Sequence, residues 1–277
     1  MPTESAVPAT AAVPRIELRN LRKDFSLGAG EYRRVVDDIS FSVQPGEFVS
    51  VIGPSGCGKS TMFNIIAGLE TPTSGELLVD GESAIGEREH TAYMPQKDLL
   101  FPWRTVVQNA ALGLEVGGMK KRDAIEKASA LFPTFGLGGF EKSYPFELSG
   151  GMRQRAALLR TVVLGRETLL LDEPFGALDS LTRIEMQNWL QQVWTDHSWT
   201  AVLITHDIRE AVYLSDRVIV LSARPASVRL DLTVDLPRPR ELSMTTSAEF
   251  VALEAQLIEV LHEESRKAFE QQMTSAS

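Results

Sequence analysis

Eight consecutive residues, Gly53-Pro54-Ser55-Gly56-Cys57-Gly58-Lys59-Ser60, fit the pattern G-x-x-x-x-G-K-[ST]. The apolar run Phe48–Ile52 before them reads as a buried strand, and residues 59–67 read as a helix stopped by Gly68. A strand that ends in such a loop and opens a helix commits the chain to an α/β architecture with an anion cradle. The glycines let the backbone curl until successive N–H groups point inward, and the helix N-terminus adds partial positive charge. Lys59 then reaches the β- and γ-phosphates of a nucleotide, and the Ser60 hydroxyl ligates Mg²⁺. Cys57 fills a free position of the pattern and reads as a tolerated small residue rather than a redox centre.

The rest of the chain supplies the layers that this loop needs. Short apolar runs recur at 168–171, 201–204 and 218–221, with helical patterns between them. That arrangement predicts a mainly parallel sheet with helices on both faces. Alternation at Ile16-Glu17-Leu18 and again over 39–43 predicts further strands, in a smaller antiparallel β subdomain. The polar, glycine-containing stretch 26–34 between them reads as a loop. Residues 102–165 lack strand patterns and carry candidate helices at 120–132 and 150–163, which predicts a helical sub-lobe. Residues 1–14 are rich in Ala and Pro and lack a signal peptide's basic and apolar regions, so they read as a disordered leader on a cytoplasmic chain. The core domain is expected over 15–235. Residues 236–277 are expected to form a helical tail, in which 249–269 is an acidic amphipathic helix with a solvated charged face.

Composition narrows the function. The net charge of −9 makes a poor non-specific binder of nucleic acid. The single Cys57 excludes an intramolecular disulfide framework and a cysteine-cluster metal site. No run of about 18 uninterrupted apolar residues is present to span a membrane.

Two further motifs carry chemistry. The apolar run 169–171 ends in Asp172-Glu173, which delivers two acids to the carboxyl edge of a sheet. Asp172 would hold Mg²⁺, and Glu173 would polarise an attacking water as general base. Adjacent carboxylates in a cleft repel unless a cation lies between them and the phosphates. Upstream, Ser149 can cap a helix, and Gly150-Gly151 leave backbone N–H groups open as a second anion site. A small-molecule kinase needs only one such site.

In their order, these motifs resemble the nucleotide-binding subunit of ATP-binding cassette (ABC) transporters over roughly residues 15–235. Residues 53–60 match the Walker A loop, Gln96 in Tyr93-Met94-Pro95-Gln96 the Q-loop, and Leu148 to Met152 the LSGGQ signature, with Met152 in place of Gln. Asp172 and Glu173 match Walker B, Asp179 in Ala177-Leu178-Asp179 the D-loop, and His206 in Ile204-Thr205-His206-Asp207 the switch histidine. The resemblance implies a P-loop NTPase core and a head-to-tail homodimer with two ATP molecules at its interface. Each ATP would lie on Gly53, Pro54, Ser55, Gly56, Cys57, Gly58, Lys59, Ser60 and Thr61 of one copy. Ser149, Gly150, Gly151 and Met152 of the other copy would cover it. Gln96 would contact Mg²⁺ and the water, His206 the γ-phosphate, and Asp179 would act across the interface. Phe25 is the expected adenine platform, with Val36 nearby and Tyr32 as rival.

Leu99 to Val106, Asn109 and Arg224-Pro225 resemble the importer ATPases for nitrate, sulfonate, taurine and pyrimidine vitamin precursors. That implies transmembrane permease subunits as partners, a solute-binding protein indirectly, and a place on the cytoplasmic face of the inner membrane. No nucleic acid is expected. The alternative is a soluble ABC-type ATPase acting on nucleic acid or ribosomes, which usually carries a second cassette, a coiled coil or zinc fingers.

Overall fold

The computed structural model describes residues 13–28, 30–197 and 199–275. The leader expected at 1–14 falls almost wholly outside them. The chain opens with a long hairpin, β1 (Ile16–Gly28) and β2 (Glu31–Val43), then β3 (Phe48–Ile52) and α1 (Lys59–Ile66). Three strands follow: β4 (Ser74–Val79), β5 (Glu82–Ser83) and β6 (Thr91–Met94). The next segment holds helices only: α2 (Val106–Ala110), α3 (Leu112–Val116), α4 (Lys121–Leu131) and α5 (Gly150–Val162), with a 3-10 turn at Pro145–Glu147. Then come β7 (Thr168–Asp172), α6 (Ser180–His197), β8 (Thr200–Ile204), α7 (Ile208–Leu214), β9 (Arg217–Leu221) and β10 (Val228–Thr233). A 28-residue helix, α8 (Ala248–Ser275), ends the described chain.

The main sheet runs β10-β9-β3-β8-β7-β6, parallel except for β10. Every residue of β3, β7 and β8 is buried. Side chains alternate across a strand, so a doubly covered sheet feeds two cores. Leu170, Val202, Ile204 and Ile219 pack with α1 and the antiparallel sheet β2-β1-β4-β5. Leu169, Leu171, Leu203 and Val220 pack with the helical segment and the later helices. The stretch 26–34 is not an open loop. Ser26 pairs with Tyr32 and Phe25 with Arg33, so it is the tip of the β1–β2 hairpin. Its described residues are exposed, which removes the apolar alternation that marks a strand.

The region after Ala223 is also more ordered than its composition suggests. β10 pairs antiparallel with β9. The acidic helix α8 buries Phe250 and Leu257 in the same core as β7 and β8. Its charge is not all on a solvated face: Glu264 is 2% exposed, accepts from the Ala223 N–H at 2.9 Å, and pairs with Arg229 at 3.0 Å and Lys267 at 2.8 Å. Before α8, the buried Arg240 guanidinium caps the C-terminal end of α7. It donates to the carbonyls of Val212 (2.8 Å), Tyr213 (3.2 Å) and Ser215 (2.6 Å). The last carbonyls of a helix have no partner within it, and Arg240 supplies one from the tail. Arg240→Ala leaves them buried and unpaired. It should lower stability by about 2–4 kcal/mol, read as a shifted urea midpoint at unchanged slope.

Candidate functional site

Parallel pairing brings four chain segments to one sheet edge. Val51 and Asp172 both lie beside Ile204, and Met94 beside Leu171. The segments that leave these strands carry the 53–58 loop, Gln96, Glu173 and His206. They meet around a cavity of about 570 Å³ lined by Ser55, Gly56, Lys59, Ser60, Gln96 and Glu173, with Gly58, Thr61 and His206 completing it. That is the position at which open α/β sheets take ligands.

The loop's shape requires glycine at position 58, where φ is +134° and an added Cβ would lie 3.0 Å from the Val35 carbonyl. Lys59 is buried, and its ammonium donates to the carbonyls of Gly53 (2.7 Å) and Pro54 (3.0 Å), which holds it over the loop. Cys57 is buried beneath the loop. Desolvation pushes its thiol up, against the pull of Lys59, which suits a buried structural cysteine.

Across the cavity, Asp172 is 6% exposed and accepts from the Tyr93 hydroxyl at 3.2 Å and from the Ser60 hydroxyl. Burial raises its pKa first, and the Glu173 charge adds to this; Tyr93, Ser60 and Lys59 oppose it. A cation here would favour the ionised form. A hydroxyl and a carboxylate in contact suit a hard ion such as Mg²⁺. Among the described residues no three His, Cys, Asp or Glu side chains are placed to hold a metal ion between them. An ion at this site would therefore draw on phosphate oxygens and water as well.

Glu173 is the hub of the polar groups. Its Oε2 accepts from the Gln96 amide at 3.0 Å and lies 3.3 Å from His206 Nδ1. Its φ of +45° is left-handed, at a cost of roughly 1–2 kcal/mol, and the Glu173 N–H is fixed to the Ile204 carbonyl at 2.9 Å. Tyr93 and Arg224, which donates to the Gly56 carbonyl, also belong to the site. Sequence reasoning had both residues in hand without assigning them there; the link of Tyr93 to Asp172 follows from the β6–β7 pairing alone. Val36 is fully buried in the core, and Val35 lines the cavity instead. Phe25 and Tyr32 are both exposed, and neither lines it.

The helix start at Ser149, expected as a second anion site, stands apart. Ser149 accepts from the Met152 N–H at 3.3 Å and caps α5, and Asp179 accepts from the Thr182 N–H at 3.1 Å and caps α6. These helix starts abut: a Cβ on Gly151 would lie 2.8 Å from Thr182 Cγ2. Yet none of Ser149, Gly150, Gly151, Met152 or Asp179 lines the phosphate cavity.

The ABC transporter family model matches residues 36–176. The chain is 42% identical over 254 residues to an uncharacterized ABC transporter ATP-binding protein of Methanocaldococcus jannaschii, covering 92% of this chain and 94% of that one. It is 42% identical over 225 residues to an aliphatic sulfonates import ATP-binding protein of Bacillus cereus, covering 81% and 88%. The chain belongs to the ABC transporter family as an ATPase subunit of its import-type branch. The cassette fold is shared with a dimeric ABC structure in a post-hydrolysis state with ADP and phosphate, at TM-score 0.69 and 29% identity, covering 80% of this chain and 100% of that one.

In this ABC ATPase, Gly58→Ala forces a side chain into a backbone region that is essentially glycine's alone, at a cost of about 1–3 kcal/mol. The variant should bind a fluorescent ATP analogue at least about tenfold more weakly while keeping its circular dichroism spectrum. Unchanged affinity would remove the loop backbone from the site.

Proposed function

We propose that two copies of this chain bind ATP between them, head to tail, and that the cycle of closing and hydrolysis drives a separate membrane permease. One observation carries the reading. A single chain presents two helix starts suited to an anion, and the second, at Ser149 to Met152, lies outside its own phosphate cavity. A second copy facing the other way would bring it over the γ-phosphate. The dimeric state of the related cassette supports this.

Each residue then has a task. Lys59 would turn from the Gly53 and Pro54 carbonyls to the β- and γ-phosphates, and the N–H groups of the 53–58 loop would hold the β-phosphate. Ser60, Asp172 and Gln96 would hold Mg²⁺, which offsets phosphate charge when bound. Glu173 would take a proton from water as its oxygen attacks the γ-phosphorus and ADP leaves. Its contacts with Gln96 and His206 keep the carboxylate oriented, and Asp179 would act across the interface. To move an open-to-closed ratio from 1:99 to 99:1, ATP must favour the closed form by about 5.5 kcal/mol. Two ATPs gripped from both sides can supply that.

A permease surface is supported beside the Q-loop. Phe101 and Trp103 stack at 5.1 Å, and Tyr144 and Phe146 at 5.6 Å, with Trp103 71% and Phe146 73% exposed. The two segments are tied by Val106 N–H to Ser143 O (2.8 Å) and Val107 N–H to Glu141 O (3.1 Å). Exposed aromatics grouped in this way mark a docking site. The subunit would thus sit peripherally at the cytoplasmic face of the membrane. The solute is proposed to be of the small sulfonate type that the Bacillus cereus relative's name prints. A solute-binding protein would deliver it. A nucleic-acid-directed ATPase is disfavoured by the net charge of −9.

Glu173→Gln should bind ATP, run as a dimer in size-exclusion chromatography, and lose about 10²–10⁴-fold in turnover. A strictly monomeric, ATP-loaded variant sinks the two-copy reading. Trp103→Ala with Phe146→Ala should keep basal ATP hydrolysis but fail to co-purify the permease. Retained co-purification moves the docking site elsewhere.

A further inference from the structure

Glu210 is one of the few charged side chains in the interior, at 4% exposure, and hydrolysis as described does not use it. It lies on α7, four residues after His206. Its carboxylate accepts from the Gln187 amide of α6 at 2.8 Å, and the buried Thr205, the residue before His206, is a neighbour that stabilises its charged form. Its N–H donates to the Asp207 carboxylate at 3.1 Å, and the Asp207 N–H donates to Thr205 Oγ1 at 3.0 Å. Asp207 in turn lies 3.6 Å from Arg183, whose guanidinium donates to the Leu178 carbonyl at 3.1 Å. One continuous set of polar contacts therefore joins Leu178, next to Asp179, with the turn that presents His206 to Glu173.

We propose that Glu210 is a positioning residue for ATP hydrolysis: its buried carboxylate clamps the helix that follows Asp179 to the turn that carries His206, so that the two move as one. The proposal rests on the assignments of His206 and Asp179 above. An acid in the first turn of α7 suits the helix dipole, but that favours an exposed carboxylate as well; burial at 4% exposure costs several kcal/mol, and the bond to Gln187 is what the buried position adds. What the carboxylate adds is direction. The carboxylate accepts from α6 while the Glu210 N–H holds Asp207, the residue after His206, and the bond to Gln187 is stronger when the acceptor is charged.

Protonation would loosen this clamp. Burial raises the Glu210 pKa to about 7, with the Asp207 charge adding to it and Thr205, Gln187 and Arg183 opposing it. The folded state thus keeps a proton that the unfolded chain releases above its ordinary carboxylate pKa. Folding stability falls as pH rises from about 4.5 to about 7, and the clamp is at full strength above that range.

The test uses the full-length chain, with ATP hydrolysis followed from pH 6 to 8.5. At pH 8, Glu210→Ala should lower kcat at least about tenfold, with KM for ATP unchanged within about twofold. Glu210→Gln keeps the shape but not the charge. It should flatten the rise of kcat around pH 7 that the parent shows, and its Tm should gain on the parent's as pH rises. Gln187→Leu breaks the same clamp from the other side, without touching the turn, and serves if Glu210→Ala fails to fold. Its kcat loss should match that of Glu210→Ala, and the double variant should lose no more than either single one. A kcat within twofold of the parent in Gln187→Leu, additive losses in the double variant, or an unaltered pH profile in Glu210→Gln each overturns the proposal. Failure of Glu173→Gln to dimerise with ATP would instead strike the two-copy reading, so the two failures are distinguishable.

Discussion

Parallel pairing of β3 with β8, β8 with β7 and β7 with β6 is the constraint on which the site depends. All four strands run the same way, so their carboxyl ends share one edge. Everything chemically active then needs only to follow directly after a strand. The phosphate loop follows β3, Gln96 follows β6, Glu173 follows β7 and His206 follows β8. The strands must be held in fixed register for side chains from four segments to meet within hydrogen-bond distance. Burial on both faces does this, since a one-residue slip would exchange the two cores.

The same edge explains why the molecule is built for company. Its phosphate cavity is open, and the Ser149 helix start lies outside it. Within one chain, Ser149 and Asp179 act as helix caps, an ordinary structural role. Their proposed chemical role arises only when another copy presents them. A site divided in this way lets closure and hydrolysis depend on each other. In the proposed dimer the nucleotide would be fully enclosed only in the closed form, and release of phosphate would remove the group that holds it closed.

The tail is part of the ATPase body rather than an appendage to it. Arg240 closes the carbonyl end of α7, Arg209 on α7 pairs with Glu254 on α8 at 3.2 Å, and Glu264 receives the Ala223 N–H just before Arg224. Arg224 donates in turn to the Gly56 carbonyl in the phosphate loop. The elements that bear His206 and the loop are therefore both braced from the C-terminal side. Such bracing holds catalytic groups in place without touching the substrate.

Much of the site was legible in the residues because phosphate binding leaves few choices. A loop that turns its N–H groups inward needs glycine at fixed spacing, and Gly53, Gly58, Lys59 and Ser60 show that spacing directly. The strand-terminal acids Asp172 and Glu173, and the motif order through Gln96, Ser149, Asp179 and His206, could be read in the same way. Strand β10 does carry an alternating face, Val228, Leu230 and Leu232, which packs half-buried on the cores. The hairpin tip at 26–34 could not be read, because its described residues bury no apolar face. Nor could the choice of Val35 over Val36, since two adjacent valines on a strand differ only in the face they occupy, and pairing decides that. Tyr93 on Asp172, Arg240 on α7 and Gln187 on Glu210 join residues from 23 to 79 positions apart. Local pattern carries no record of such partners. Sequence thus determined which chemistry the chain can perform, because that chemistry needs particular residue types at short, fixed intervals. Tertiary structure decided which groups orient it, because orientation depends on contacts made across the folded core.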